Sequence, residues 1–241
     1  MNLSHELIEL KRMNLLFLIK PMTLLARYLI KAVQAMICAV VYSFVMPLYA
    51  AENPDIVGYV MHVQMTPAVC ALDASKQKQR KCLEGYSLTI SSLLPELSKS
   101  VDCTTSSSAK LSPLQAKVVA RVMPDENARV QLWQNVGGCV PMNASQYFRT
   151  IINFAGQLKI PADLTNPNTI EVQKETLRQQ FIKLNPSLSP NSIRFTCQPS
   201  KMDSILTEIR VCYQKNGKYK QCDSHIKFSN CFDLYFLSDF C

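Results

Sequence analysis

Nine cysteines fall in the last four-fifths of the chain: Cys70, Cys82, Cys103, Cys139, Cys197, Cys212, Cys222, Cys231 and Cys241. None of them forms a C-x-x-C pair, and only His62 and His225 share that stretch, so the spacing of a zinc site is missing. What remains for so many thiols is a disulfide framework, and disulfides form and persist in oxidising compartments. A chain stapled in this way is expected to fold after export. Sequence alone assigns no pairs.

The N-terminus agrees with export. Lys11, Arg12, Lys20, Arg27 and Lys31 supply a positive region, and Ala32 to Leu48 is almost wholly apolar before Leu48-Tyr49-Ala50 and Ala51-Glu52-Asn53-Pro54. That is the layout of a secretory signal over residues 1–50, with cleavage after Ala50 or Ala51. Such a segment is long for a signal, and Met13 or Met22 is an alternative start. The competing reading is an uncleaved anchor, because the apolar run is just long enough to span a bilayer. Membrane contact is expected only through this segment.

Residues 51–241 suffice for one domain with a sizeable core. Removing the leader takes 5 of 26 basic and 2 of 18 acidic residues, leaving 21 against 16 and an excess of +5. This mild excess permits attraction to phosphate or to an acidic surface. The cations are scattered apart from Lys76 to Lys81 and Lys215 to Lys220, and each of those runs reads first as a solvated loop.

Hydrophobic periodicity gives the elements. Ile56 to Met65 alternates, with Val57, Tyr59, Met61, Val63 and Met65 on one face and Val60, His62 and Gln64 on the other, as a strand does. His62 on such a face reads as a structural or surface residue before it reads as a catalyst. Tyr86 to Ile90 is expected as the next strand, delivering Ser91 and Ser92 to its end before Leu93, Leu94 and Pro95 turn the chain away. Ser91 lacks the base and the turn that a nucleophilic serine needs. Ser112-Pro113-Leu114-Gln115 is a capping box opening a helix that Pro124 stops, with Leu114, Val118, Val122 and Met123 at helical spacing. Asn143 caps a helix from Ala144 to about Lys159, whose stripe of Tyr147, Phe148, Ile151, Ile152, Ala155 and Leu158 reads as core rather than a cofactor box. No cofactor is implied. A further helix is expected over Thr169 to Leu184, a strand over Ser192 to Cys197, and a hairpin from Ile205 to Asp223 with a type I' turn at Asn216-Gly217. Phe232 to Phe240 is expected to pack as a last edge strand.

Two segments carry a resemblance. Tyr86 to Leu97 reads Y-S-L-T-I-S-S-L-L-P-E-L, and Leu132 to Cys139 reads L-W-Q-N-V-G-G-C. They resemble the two active-site segments of the ribonuclease T2 family, T-[IV]-H-G-L-W-P and [EH]-x-x-K-H-G-x-C. Thr66-Pro67-Ala68-Val69-Cys70 resembles the family's W-S-P-x-F-C, with Met65 at the tryptophan, and Glu208 to Cys222 resembles its hairpin. The resemblance implies an α+β fold, an antiparallel sheet with packed helices stapled by disulfides. It also implies the pairs Cys70 with Cys82, Cys103 with Cys139, Cys197 with Cys231, and Cys212 with Cys222. Cys241 is then the odd thiol, able to bridge to a partner or to displace Cys231. Trp133 sits at an aromatic position of the motif and reads as a core anchor, with base stacking as the alternative. Gly137-Gly138 keeps the small residues that allow a close turn.

The frame is kept and the reagents are not. Ser91 stands at the family's first catalytic histidine, Ser92 at its glycine, Leu94 at its tryptophan, Leu132 at its glutamate, Asn135 at its lysine, Val136 at its second histidine, and Gln131 where another histidine is frequent. Cleavage by transphosphorylation to a 2',3'-cyclic phosphate needs one imidazole to take the 2'-hydroxyl proton and another to protonate the leaving oxygen. Serine and valine do neither, and Asn135 and Leu132 remove the charge stabilisation. The expectation is an exported, periplasmic or secreted, catalytically inactive protein that binds RNA or a protein partner, not DNA, through the former cleft, with Ser91, Ser92, Trp133 and Asn135 as candidate RNA contacts. The alternative is an active endoribonuclease using relocated groups, for which His62 and His225 are the available imidazoles.

Overall fold

Alternation over Ile56–Met65 does produce a strand, β1. Tyr59, Met61, Val63 and Met65 are buried as expected. Val57 is not, because a register shift between Ile56 and Gly58 turns it outward and sends Ile56 into the core. The computed structural model describes residues 55–165, 170–199, 204–224, 226, 231 and 233–236. The expectations for the leader, His225 and Cys241 lie outside these residues. Among the described residues no helix is long and apolar enough to cross a membrane.

The remaining strands are β2 (Leu88–Leu97), β3 (Ile170–Gln173), β4 (Ile193–Pro199), β5 (Ser204–Tyr213) and β6 (Asp233–Phe236). β5 is the hub. It pairs antiparallel with β1 and with β4, and β2 lies outside β1 as an edge strand. The first two residues of β5 also pair parallel with β6, which in turn pairs antiparallel with β3.

Three expectations need correction here. β2 does not turn away after Ser92 but continues through Leu97, with Pro95 opposite Tyr59; an edge strand tolerates a residue without an N–H. Thr169 to Leu184 is not one helix, because Ile170–Gln173 is strand and the helix begins at Lys174. Val172 is buried, but on a strand face. β6 is an interior strand rather than an edge, since β3 covers it.

The helices are α1 (Thr66–Leu72), α2 (Arg80–Leu83), α3 (Pro113–Val119), α4 (Glu126–Val136), α5 (Ala144–Gln157) and α6 (Lys174–Leu184). Both expected capping boxes form, Ser112 with Gln115 and Asn143 with Gln146. In α3 the register differs from expectation: Val119 is buried and Leu114 is 73% exposed. α5 carries the core, burying Tyr147, Phe148, Ile151 and Phe154, each worth about 1.5–3 kcal/mol relative to exposure. Phe154 stacks on Tyr213 with ring centroids 4.4 Å apart, joining helix to sheet.

After β5 the chain returns through a single bridge, Tyr213 to Tyr219, rather than a full second strand. The turn is not type I', which needs positive φ at both central residues. Only Gly217 is left-handed, at φ 82°. Gly217 N–H donates to Gln214 O and Gln214 N–H to Lys218 O, while Asn216 Oδ1 accepts from Lys218 N–H. This is a type I turn with a glycine bulge. Four disulfides close the fold: Cys70–Cys82, Cys103–Cys139, Cys197–Cys231 and Cys212–Cys222.

Candidate functional site

Strand alternation breaks at one place in β2, and that place holds Ser91 and Ser92. Val63 pairs with Ile90 and His62 with Ser92, so Ser91 is the extra residue of a β-bulge. Ile90 and Leu93 both enter the core, which leaves the two serines between them half-buried on the opposite face. Ser91 Oγ–H donates to His62 O across 3.3 Å. Tyr147 O–H donates to Leu93 O at 2.7 Å and so clamps the strand beside the bulge onto α5. Burial pushes that phenol upward, so it remains a donor.

The second segment lies on the last turns of α4 and its C-terminal exit. Leu132 and Val136 are buried in the same apolar core as Ile90 and Leu93. Asn135 and Gln131 face solvent. Trp133 is buried, its centroid 5.7 Å from that of Tyr147, and its indole N–H donates to Ser107 O and Ser107 Oγ. Of the sequence-derived candidates, then, Ser91, Ser92 and Asn135 reach the surface to some degree, while Leu132, Trp133 and Val136 do not. Gly137 and Gly138 are small for a reason other than a turn: neither has positive φ. A Cβ on Gly138 would stand 2.5 Å from Thr104 O, because the segment around Cys103 crosses directly over it.

On the serine face of the sheet, Val60, His62, Leu94, Pro95, Leu97, Lys99, Val101 and Arg210 line a groove of about 630 Å3. Its floor is apolar, where Val60 packs with Ile226 and the Cys212–Cys222 bridge. One end is closed by Glu96, whose Oε2 lies 2.7 Å from Lys220 Nζ. The other end carries a cluster that sequence reading did not assemble. His62 and Arg210 are direct cross-strand partners. Glu208, two residues before Arg210, sets its Oε2 3.2 Å from His62 Nδ1 and its Oε1 2.6 Å from Arg210 Nε. Burial works to raise the Glu208 carboxyl, but hydrogen bonding and charge from His62 and Arg210 prevail and hold it below its ordinary range. Glu208-x-Arg210 signals one strand face, yet only the register of β1 on β5 brings it to His62. Beside it, Lys81 Nζ–H donates to Gln64 Oε1 at 2.9 Å, and burial lowers that ammonium.

The sequence matches no family model and no curated protein. Solved structures do match. A self-incompatibility-associated ribonuclease, SF11, from Nicotiana alata is 12% identical, with a TM-score of 0.61 over 76% of this chain and 99% of that one. Ribonuclease MC1 from bitter gourd seeds is 17% identical, TM-score 0.54, over 74% and 98%. An RNase-related protein from Calystegia sepium is 14% identical, TM-score 0.57, over 76% and 97%. The mixed sheet and helices, the four bridges and these likenesses agree with one another, and the chain has the ribonuclease T2-like fold.

Proposed function

We propose that this is an exported ribonuclease T2-like protein that binds RNA through the groove beside Ser91 and Ser92 without cutting it. The observation that carries the reading is the burial of Leu132 and Val136. At the positions that the resemblance gives to a glutamate and a histidine, apolar side chains point into the core, where no proton can be exchanged with a bound ribose or phosphate. Ser91 is committed to a backbone carbonyl. Binding is supported by the open groove, its apolar floor for bases and the cations Lys99 and Arg210 on its lining. Export is supported by the four disulfides.

The test is incubation of purified protein with homopolymer RNA. Expected are no 2',3'-cyclic phosphate ends and salt-sensitive binding. Absence of both cleavage and binding would turn the assignment to a protein partner.

A second reading has its own observation. His62 is oriented by Glu208 through Nδ1, which leaves Nε2 as the nitrogen that can serve the groove. A carboxylate-held imidazole is a competent general base. Cleavage that disappears in His62→Ala would establish an active enzyme with relocated groups. His225, the other imidazole of that reading, lies outside the described residues.

A further inference from the structure

Helix α3 does not bury the stripe that its sequence offers, and the residues left outside meet a matching strip on α5. Leu114 is 73% exposed and Val118 half-buried, one turn apart on one face of α3. With Phe148 and Ile152, one turn apart on α5, they line an apolar groove of about 250 Å3. Gln115 and Ser145 also border it, but the Gln115 amide donates to the Ser145 hydroxyl, so these polar groups satisfy each other and the walls offer mostly carbon. A lone exposed leucine needs no account; one at the edge of a concave apolar groove belongs to a surface that gains by being covered. Arg149, on the same face of α5, lines the groove, and its guanidinium makes no hydrogen bond or ion pair among the described residues. Lys110, Lys117 and Arg121 stand exposed on or beside α3. Residues 103–124 and 127–162 contain no aspartate or glutamate, so both helices and the segments next to them carry cations alone.

We propose that the groove between α3 and α5 is a docking site for a partner protein, which inserts an apolar side chain between the two helices and sets flanking carboxylates against Arg149 and Lys117. Charge complementarity selects this occupant. An apolar floor ringed by cations, with no acid in either segment, matches an apolar anchor bordered by aspartate or glutamate, and an acidic amphipathic helix presents that pattern along one face. The size agrees. The groove is smaller than the roughly 300–1,000 Å3 of a drug-sized ligand's pocket, so it takes an anchoring side chain rather than a whole small molecule. A planar lipid surface would meet Leu114 without reaching Phe148, which is buried at the base. A second copy meeting the first through the same face would set cations against cations. The site is separate from the groove beside Ser91 and Ser92, with which it shares no residue.

The probe is a fluorescent synthetic helix with leucines one turn apart flanked by glutamates, compared with its counterpart in which every glutamate is lysine; anisotropy against the purified protein gives the affinities. The acidic helix is expected to bind, more weakly as salt rises, and the lysine helix is not. Leu114→Ser and Arg149→Glu are each expected to weaken the acidic helix by at least about tenfold. Lys183→Glu, the same kind of charge change on α6 and outside the groove, is expected to alter it by less than about threefold. All three positions are exposed, and unaltered melting curves confirm that the fold is kept. No binding of the acidic helix, equal binding of the lysine helix, or binding indifferent to both Leu114→Ser and Arg149→Glu overturns the proposal. Sedimentation with phosphatidylglycerol vesicles that Leu114→Ser abolishes, in protein that ignores the acidic helix, overturns it in favour of a lipid surface. Self-association that Leu114→Ser abolishes overturns it in favour of a second copy. RNA binding is measured on the same variant: its retention supports two separate surfaces, and its loss would overturn the proposal by giving this face to RNA.

Discussion

Glu96 lies beneath Lys220, with carboxylate Oε2 2.7 Å from the ammonium and a side chain only 4% exposed. The two are far apart in sequence, one near the end of β2 and the other just past the turn that follows β5, so the contact fastens that return segment across the edge of the sheet. Oε1 of the same carboxylate has no hydrogen-bond partner among the described residues. Removing the lysine would strand a buried anion.

Lys220→Met is therefore expected to lower the unfolding free energy by about 3–5 kcal/mol, the range for a buried pair broken from one side. Replacing both, as Glu96→Leu with Lys220→Met, is expected to recover most of that loss, because the pair's desolvation cost disappears with it. Urea unfolding of the wild type, the single and the double variant measures this. A single variant as stable as wild type would show that Glu96 finds another donor.

Reinstalling histidines at the matching positions is expected to fail, for a structural reason. Val136 is 3% exposed within the apolar core. An imidazole there has no partner for its polar nitrogens and exceeds the space of a valine, so Val136→His should cost about 2–4 kcal/mol. Ser91→His combined with Val136→His is expected to yield no cyclic phosphate ends from RNA. Detectable turnover by that double variant would mean that the old site is one backbone adjustment from activity, contrary to the burial of Val136.

Much of this was legible in the residues, and the failures have causes. The alternation of β1, the two capping boxes and the α5 stripe are local patterns, and local patterns survive folding. From the residues alone Ile170–Gln173 reads as helix, because Val172 and Leu177 are compatible with a helical stripe; the antiparallel pairing with β6 that makes it a strand is long-range. Pro95 suggested an exit, and only its place on an edge strand makes it harmless. At the site, the histidine, glutamate and lysine positions could be compared from short motifs alone. The depth of Leu132 and Val136, and the meeting of His62 with Glu208, depend on helix packing and on strand register, which no window of one strand contains.

Acid should expose the same cluster through Glu208. Its carboxyl is driven upward by burial but held lower on balance by His62 and Arg210. The unfolded value is about 4.3. A folded carboxyl below it contributes stability that is complete above the unfolded value and is lost as pH falls through the folded one. Wild type and Glu208→Gln are thus expected to differ most near neutrality and to converge between about pH 5 and 3. Urea midpoints across that range test it, and parallel curves would show that the carboxylate gains nothing from its neighbours.

The bridge between half-buried Cys103 and buried Cys139 should matter more to stability than the exposed loop on one side of it suggests. Cys103 lies in an extended loop with little secondary structure, while Cys139 follows the end of α4, and the two are separated by 36 positions. The loop is laid down along the helix by several contacts: Thr105 N–H donates to Gln134 O, Gly138 N–H to Cys103 O, and the Trp133 indole to Ser107. Gly138 has no room for a Cβ under the crossing chain, so the close approach is built into the sequence. Loop-closure entropy for a ring of this size is worth about 4 kcal/mol. Cys103→Ala with Cys139→Ala is expected to lose about 3–4 kcal/mol, and Gly138→Ala to lose about 1–3 kcal/mol by forcing the two segments apart while the bridge stays intact. Loss of the bridge should also free the Ser107 end of the loop, so that the fluorescence of Trp133, the single tryptophan of the chain, shifts towards that of a hydrated indole before the global transition. Coincident fluorescence and circular dichroism transitions in the double alanine variant would show instead that the hydrogen bonds alone keep the loop on α4.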